Sequence, residues 1–461
     1  MSETIIGRVF GENIDDSFTF ASRQLHNSSF VKVFKDGSTD GCLIGKVNKR
    51  VVHNPYCSSP EAIRYVSDNY DFHKDSLYIY YVEILGALAN GLPSPERVPA
   101  LPGSAVYLAS DEEIKTIYGM QGDGINIGRL LDSKDCSVSI DINKLFNPHL
   151  FVVGKTGSGK SFFVKKLLKE SADCFWVFSP TDEYNFLFEK ASCKCVNKIS
   201  VAWNISSVSY YLDLNASEET ILRNVNKVIE KLFEKDKSTV ISVSDVEKSI
   251  KEFYSSVEET KHQQLAFTDI IPSFPSNEEL PRFANTLLNK LKAINSLSFC
   301  KKTTIDEFIA TSTVFDLEDY NQLEQEWIIS SLLFSLRNHL THKTYDKKHL
   351  IIIEEAHNYL PSEKYTKCKN ELVKMSREGR KYGASLCFVT QRPRFFDQTA
   401  LAQSGNRVVF SLSNPDDIKH VMDEASFYDK ELLVKIPRQR QGECTIIGDA
   451  FNGIVGIEIF D

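Results

Sequence analysis

The sequence predicts an α/β protein in three parts: a strand-rich N-terminal domain, a parallel-sheet core, and a helical insertion within that core. Three observations predict it. Residues 1–145 carry short runs of β-branched and aromatic residues separated by turn signals. From residue 146 strand-like and helix-like segments alternate, the pattern of parallel strands joined by covering helices. Between about residues 205 and 305 this alternation gives way to the period of amphipathic helices.

In the N-terminal part, residues 5–10, 18–20, 30–34 and 77–82 read as strands, with Gly37, Gly41, Gly45 and Pro102-Gly103 as punctuation. A small closed barrel is the economical architecture, because closure removes exposed strand edges. The core has expected strands at 149–153, 174–178, 312–317, 350–353, 385–390 and 407–412. A helix over 161–170 places Phe163, Leu167 and Leu168 on one side. Two last strand-like runs, 444–447 and 454–460, flank Asn452-Gly453, a hairpin signal. Within the insertion, residues 221–233 and 283–294 suggest helices, and Pro272, Pro275 and Pro281 break the segment between them. The expected domains are therefore a barrel over 1–145, a core over 146–204 and 306–461, and an insertion over 205–305.

At 461 residues, 42% hydrophobic and 25% charged, the chain has the composition of an ordinary globular protein. Its formal net charge of −8 argues against a protein that coats nucleic acid with its whole surface, but allows a basic channel. No apolar run reaches the roughly 18 residues of a membrane span, and the acidic start MSETIIGRVFGENIDDS is unlike a signal peptide. A cytoplasmic protein without membrane contact is expected. The ten cysteines are scattered, with Cys193 and Cys195 the one close pair and no C-x-x-C to begin a zinc site. Reduced thiols are the expectation.

Gly154-Lys155-Thr156-Gly157-Ser158-Gly159-Lys160-Ser161 fits G-x-x-x-x-G-K-[ST], with an apolar strand before it and an amphipathic helix after it. Glycines let backbone N–H groups wrap a phosphate, and a helix N-terminus adds favourable dipole charge. Lys160 is placed to reach the β- and γ-phosphates of ATP, and the Ser161 hydroxyl to bind Mg²⁺. This is the strongest local signal in the chain.

Leu350-Ile351-Ile352-Ile353-Glu354-Glu355 is an apolar strand ending in two carboxylates. Glu354 suits the Mg²⁺ shell, although Asp is commoner there, and Glu355 suits the orientation and deprotonation of an attacking water. His357 either senses nucleotide or packs the strand-to-loop junction. A second apolar strand ends in Thr390-Gln391-Arg392-Pro393. Gln391 either contacts the γ-phosphate or attacking water, or belongs to an ordinary turn set by Pro393. Before that strand lies Ser376-Arg377-Glu378-Gly379-Arg380-Lys381. Its basic residues either complement the negative end of a helix or send Arg377 or Arg380 to a neighbouring subunit's nucleotide.

Together GKTGSGKS, IIIEEAHNYLP, SREGRKYGASLCFVTQRP and NRVVFSLSNPDDIKHV resemble the HerA family of the FtsK/HerA division of P-loop ATPases. The N-terminal IIGRVF, GCLIGKV and LPGSAVYLA look like that family's HAS-barrel. The resemblance implies a RecA-like core and a homohexameric ring with ATP at subunit interfaces and double-stranded DNA in the channel. It also implies that Arg377 and Arg380 lie in the segment supplying interface arginines. A partner docking on the barrel face is implied too: a NurA-type nuclease in DNA end processing and repair, or a sirtuin-type or nuclease effector in antiviral defence. Two departures stand out. Where relatives often carry an aspartate-histidine pair, this chain has Ser179-Pro180-Thr181-Asp182-Glu183-Tyr184, and where many carry Arg-His it has Pro148-His149.

The sequence thus predicts an ATP-hydrolysing DNA translocase or helicase. A ring scaffold that activates an effector, with regulatory ATP turnover, is the alternative. A conjugation-type or protein-translocating ATPase fits the barrel less well, and a small-molecule kinase has no need of paired carboxylates. Lys364 and Lys367 are candidates for a DNA channel.

Overall fold

The structure, a computed structural model, describes residues 4–460 apart from 15, 36–40, 58, 60–73, 96–97, 121–123, 134, 172, 185–192, 236–238, 261–279, 301–304, 343–347 and 424–431. The chain forms two compact units. The first comprises Met1–Leu145, Gly154–Leu167 and Gly405–Asp461, and the second Phe146–Val153 and Leu168–Ser404.

In the first unit β1 (Gly7–Ile14), β2 (Ser17–Ser22), β3 (Phe30–Phe34), β4 (Gly41–His53), β5 (Leu77–Ala89), β6 (Leu92–Ser94) and β7 (Ala105–Leu108) run in the order β2-β1-β7-β3-β4-β5-β6. β5 also pairs with β2, so six strands close into the expected barrel and β6 extends its rim. Alternate residues point inward: Phe18 and Phe20, with Val31, Val33, Leu43, Tyr80, Val82 and Val106, fill the barrel. The rings of Phe20 and Tyr80 stack with centroids 4.4 Å apart.

Gly41, expected to mark a turn, begins β4, whereas Gly45, expected to do the same, lies inside it. A Cβ on Gly45 would sit 2.3 Å from Val82 Cγ1, beside a register shift after Ile44. Glycine here permits close passage of two strands. Gly103, with φ of 89°, is at a turn as expected, while Gly37 falls outside the described residues.

A helix, Asp111–Tyr118, follows the barrel, started by a Ser110/Glu113 capping box and ended by Gly119 at φ 72°. The strands β8 (Ile125–Leu130) and β9 (Ser137–Ile140) pair outside the barrel. With β19 (Asn406–Phe410), β20 (Glu443–Gly448) and β21 (Val455–Ile459) they make an antiparallel run in the order β19-β20-β21-β8-β9. The 1–145 stretch therefore holds more than its barrel.

The second unit is built on a parallel sheet of β10 (Leu150–Val153), β11 (Cys174–Ser179), β12 (Cys193–Val196), β16 (Ser312–Asp316), β17 (His349–Ile353) and β18 (Ala384–Thr390), in the order β12-β16-β11-β17-β18-β10. β10, β11, β17 and β18 are buried at every residue, which is why they read as unbroken apolar runs. The insertion is helical as expected, with helices Ile205–Tyr211, Ala216–Lys235, Val243–Thr260 and Leu280–Lys292. On Ala216–Lys235 the buried Ile221, Leu222, Val225, Ile229 and Phe233 form one stripe. A small sheet, β13 (Ser200–Ala202), β15 (Ser298–Cys300) and β14 (Ile241–Ser242), underlies it. Pro272 and Pro275 lie outside the described residues. No helix among the described residues is long and apolar enough to cross a membrane.

Candidate functional site

Candidate residues occur in both units, and each group has its own local geometry. Gly154 follows directly on Val153, the last residue of β10, and the loop it begins runs into the helix Lys160–Glu170. Gly157 and Gly159 adopt φ of 74° and 116°, values that glycine alone reaches without strain. A Cβ at Gly154 would come 2.5 Å from Phe410 Cβ, so close approach demands glycine there as well. Nothing lies within 4 Å of a Cβ placed at Gly157, and the loop is open on that side. Two backbone bonds anchor the loop: Lys155 N–H donates to Ser411 O at 2.9 Å and Gly442 N–H to Ser158 O at 3.0 Å.

Lys160 Nζ turns back over this loop, donating to Gly154 O at 2.9 Å and Lys155 O at 3.2 Å. The Ser158 hydroxyl is buried with no hydrogen-bond partner among the described residues. Ser161 is the second residue of the helix. An ammonium, an open glycine turn, a helix N-terminus and an unsatisfied buried hydroxyl form a donor set suited to a polyphosphate. The Ser161 hydroxyl and the carboxylates described next are hard oxygen donors of the kind Mg²⁺ takes.

In the second unit the buried strand β17 delivers Glu354 and Glu355 to its carboxyl end. Glu354 is buried; its N–H donates to Phe178 O at 3.1 Å, and its carboxylate accepts the hydroxyl of Tyr184. Burial and the Glu354 charge raise the Tyr184 phenol well above its usual value, so it stays a donor. Glu355 is held in the left-handed region at φ 48°, ψ 43°, an uncommon conformation for this residue, and its side chain is 30% exposed. His357 Nδ1 lies 3.3 Å from Glu355 Oε2 and 3.0 Å from the Thr390 hydroxyl oxygen, which accepts Arg392 N–H at 3.1 Å. Burial, with the Arg392 guanidinium nearby, pushes His357 down to about 4 and leaves it neutral near pH 7. Thr390 ends β18 and is followed by Gln391, which is partly exposed. Glu354, Glu355, His357 and the strand end leading to Gln391 are thus together.

Arg377, on the helix Lys369–Glu378, and Arg380, in the following turn, make no hydrogen bond or ion pair with these carboxylates. Both are exposed, with no hydrogen bond or ion pair to the described residues. The last turn of that helix is tied down by His149: its Nε2 donates to Ser376 O at 2.7 Å and its Nδ1 accepts Leu386 N–H at 3.0 Å. Burial pushes His149 to about 4, so this position contributes no positive charge. Lys367 is engaged by Asp213 and by Tyr210, whose ring centroid is 5.0 Å away, whereas Lys364 is exposed.

Sequence reasoning missed Tyr184 as a site residue. Its signal was an aromatic with a polar tip ending the acidic turn Asp182-Glu183-Tyr184 just beyond β11.

A glycine loop leaving a buried parallel strand for a helix, with paired carboxylates following a strand two places away in the same sheet, defines an α/β P-loop ATPase fold. Residues 125–344 match the family model described as Helicase HerA, central domain. A protein of Methanocaldococcus jannaschii named "probable helicase" is 27% identical over 481 aligned positions, covering 99% of this chain and 91% of that one. The DNA double-strand break repair helicase HerA of Pyrococcus furiosus is 23% identical, covering 97% and 90%. Over residues 125–344 the chain is similar to the HerA central domain, and along most of its length it is similar to HerA helicases of archaea.

Among solved structures, VirB4 of Thermoanaerobacter pseudethanolicus superposes with TM-score 0.51 at 17% identity, over 74% of this chain and 97% of that one. The bacterial conjugative coupling protein TrwB matches with TM-score 0.51 at 11% identity, over 77% and 92%. At these identities the likeness is one of fold.

Proposed function

We propose that the chain is an ATP-hydrolysing DNA translocase or helicase, working as a homohexameric ring around double-stranded DNA. Its partner in this reading is a nuclease or another effector in DNA end processing or antiviral defence. The observation that carries the proposal is the left-handed, partly exposed Glu355 beside buried Glu354, on a strand two places from the one that leads into the glycine loop.

In this reading backbone N–H groups of residues 154–161 and the Lys160 ammonium bind and orient the β- and γ-phosphates of ATP. Ser161 and Glu354 hold Mg²⁺, which offsets phosphate charge when bound. Glu355 orients a water molecule and takes its proton at a carboxylate oxygen. His357, neutral and hydrogen-bonded to Thr390, stands beside Glu355 at the end of β18, where Gln391 contacts the γ-phosphate or the water. Arg377 or Arg380, free of partners within the described residues, reaches the nucleotide of a neighbouring subunit. The barrel face receives the effector. The name of the P. furiosus relative, a DNA double-strand break repair helicase, supports DNA as the track.

The test is ATP turnover with and without duplex DNA, alongside displacement of a triplex strand. Turnover stimulated by duplex and lost in Lys160→Ala, with the fold intact by circular dichroism, is the expected result. Effector activation without strand displacement would instead favour a scaffold.

A further inference from the structure

Tyr184 lies five residues beyond the end of β11, in the turn that follows it. Its ring is completely buried, so its hydroxyl has no water to bond and must find an acceptor inside the protein. That acceptor is Glu354 Oε1. β11 and β17 are adjacent, with Phe178 opposite Ile353, so the turn after one strand meets the first residue after the other. A buried carboxylate rotates easily about its last torsion unless a donor fixes it, and a phenol anchored by a buried ring is a rigid donor.

We propose that Tyr184 is a positioning residue: its hydroxyl occupies one oxygen of Glu354 and holds the carboxylate so that the other is presented to the Mg²⁺ that accompanies the nucleotide. The inference rests on the reading of Glu354 as a metal-site residue. It goes beyond that reading by giving a role to a side chain 170 residues away in sequence. A group that only fills space would act through its ring, and removing one oxygen would leave metal affinity unchanged. A group that orients a metal-site carboxylate acts through the oxygen.

Tyr184→Phe keeps the ring and deletes the hydroxyl. The measurement is the Mg²⁺ concentration that half-saturates the fluorescence change of N-methylanthraniloyl-ATP bound to the full-length protein, beside the affinity for that nucleotide in EDTA. The expected result is a rise of about tenfold or more in the half-saturating Mg²⁺, the lower end of what loss of a supporting hydrogen bond does at metal sites. Affinity in EDTA should be unchanged. In a Glu354→Gln background the same Tyr184→Phe change should add nothing further. Wild-type half-saturation in Tyr184→Phe overturns the inference, as does an undiminished tenfold effect in the Glu354→Gln background. A wild-type protein whose nucleotide binding ignores Mg²⁺ overturns the underlying reading, and this inference with it.

Discussion

His149 should make the protein lose stability in mild acid, by an amount the structure allows to be worked out. Its Nδ1 accepts a backbone N–H from Leu386 and its Nε2–H donates to Ser376 O, so the ring is held as one neutral tautomer. Protonating Nδ1 would set two N–H groups against each other in a buried site. The folded value, about 4, lies below the ordinary 6.5 of an unfolded histidine. The folded state therefore binds fewer protons. The stabilisation is fully present above pH 6.5 and is lost as pH falls from 6.5 towards 4. Between pH 7.5 and 5.0 this one group should withdraw about 2 kcal/mol.

Equilibrium urea unfolding at the two pH values measures the change in wild type and in His149→Asn, which cannot titrate. The variant will be weaker at both, having lost a buried ring. Its loss between pH 7.5 and 5.0 should nonetheless be smaller than that of wild type by about 2 kcal/mol. Equal losses in the two proteins would refute the argument and mean that His149 carries a proton in the fold.

Three further outcomes are expected. Glu355→Gln should bind ATP with wild-type affinity yet release phosphate about 10²-fold more slowly; normal release would move the base to Glu354. Arg380→Ala or Arg377→Ala subunits, each inactive alone, should regain ATP turnover when mixed with Lys160→Ala subunits, and silence at every mixing ratio would leave the arginines a structural role. Gly45→Ala should lower stability by about 1–3 kcal/mol in thermal or urea melts, because the new methyl lands on Val82. A neutral result would mean that β4 and β5 part at little cost.

The phosphate loop and the carboxylate pair were legible because they are local. Four apolar residues, Leu350–Ile353, followed by Glu354-Glu355 announce both a buried strand and what stands at its end. The barrel was legible as a set of strands, yet β4 was hidden because Gly45, inside it, resembles a turn residue when the strand crossing it is out of sight. The pairing of β8 with β21 joins Arg129 to Glu458, far apart in the chain, and no periodicity encodes that match. The strands β13, β14 and β15 are two or three residues long, too short to show alternation. Tyr184 and His149 escaped for a common reason. Each acts through a bond to a distant segment, and its own neighbours in sequence say nothing of that segment.

The backbone at Glu355 carries a consequence for any attempt to make this protein sturdier. A left-handed conformation in a residue with a full side chain costs on the order of 1 kcal/mol or more, held in place by the surrounding packing. Glycine relieves that strain and asparagine tolerates it better, but neither supplies a carboxylate. A mutant library screened for heat resistance alone should therefore accumulate glycine or asparagine at 355, and on the proposed role of Glu355 the hardiest survivors would be inert. With Glu355 as the proposed base, durability and turnover oppose one another at a single torsion angle, so a screen for robust variants has to read phosphate release at every round.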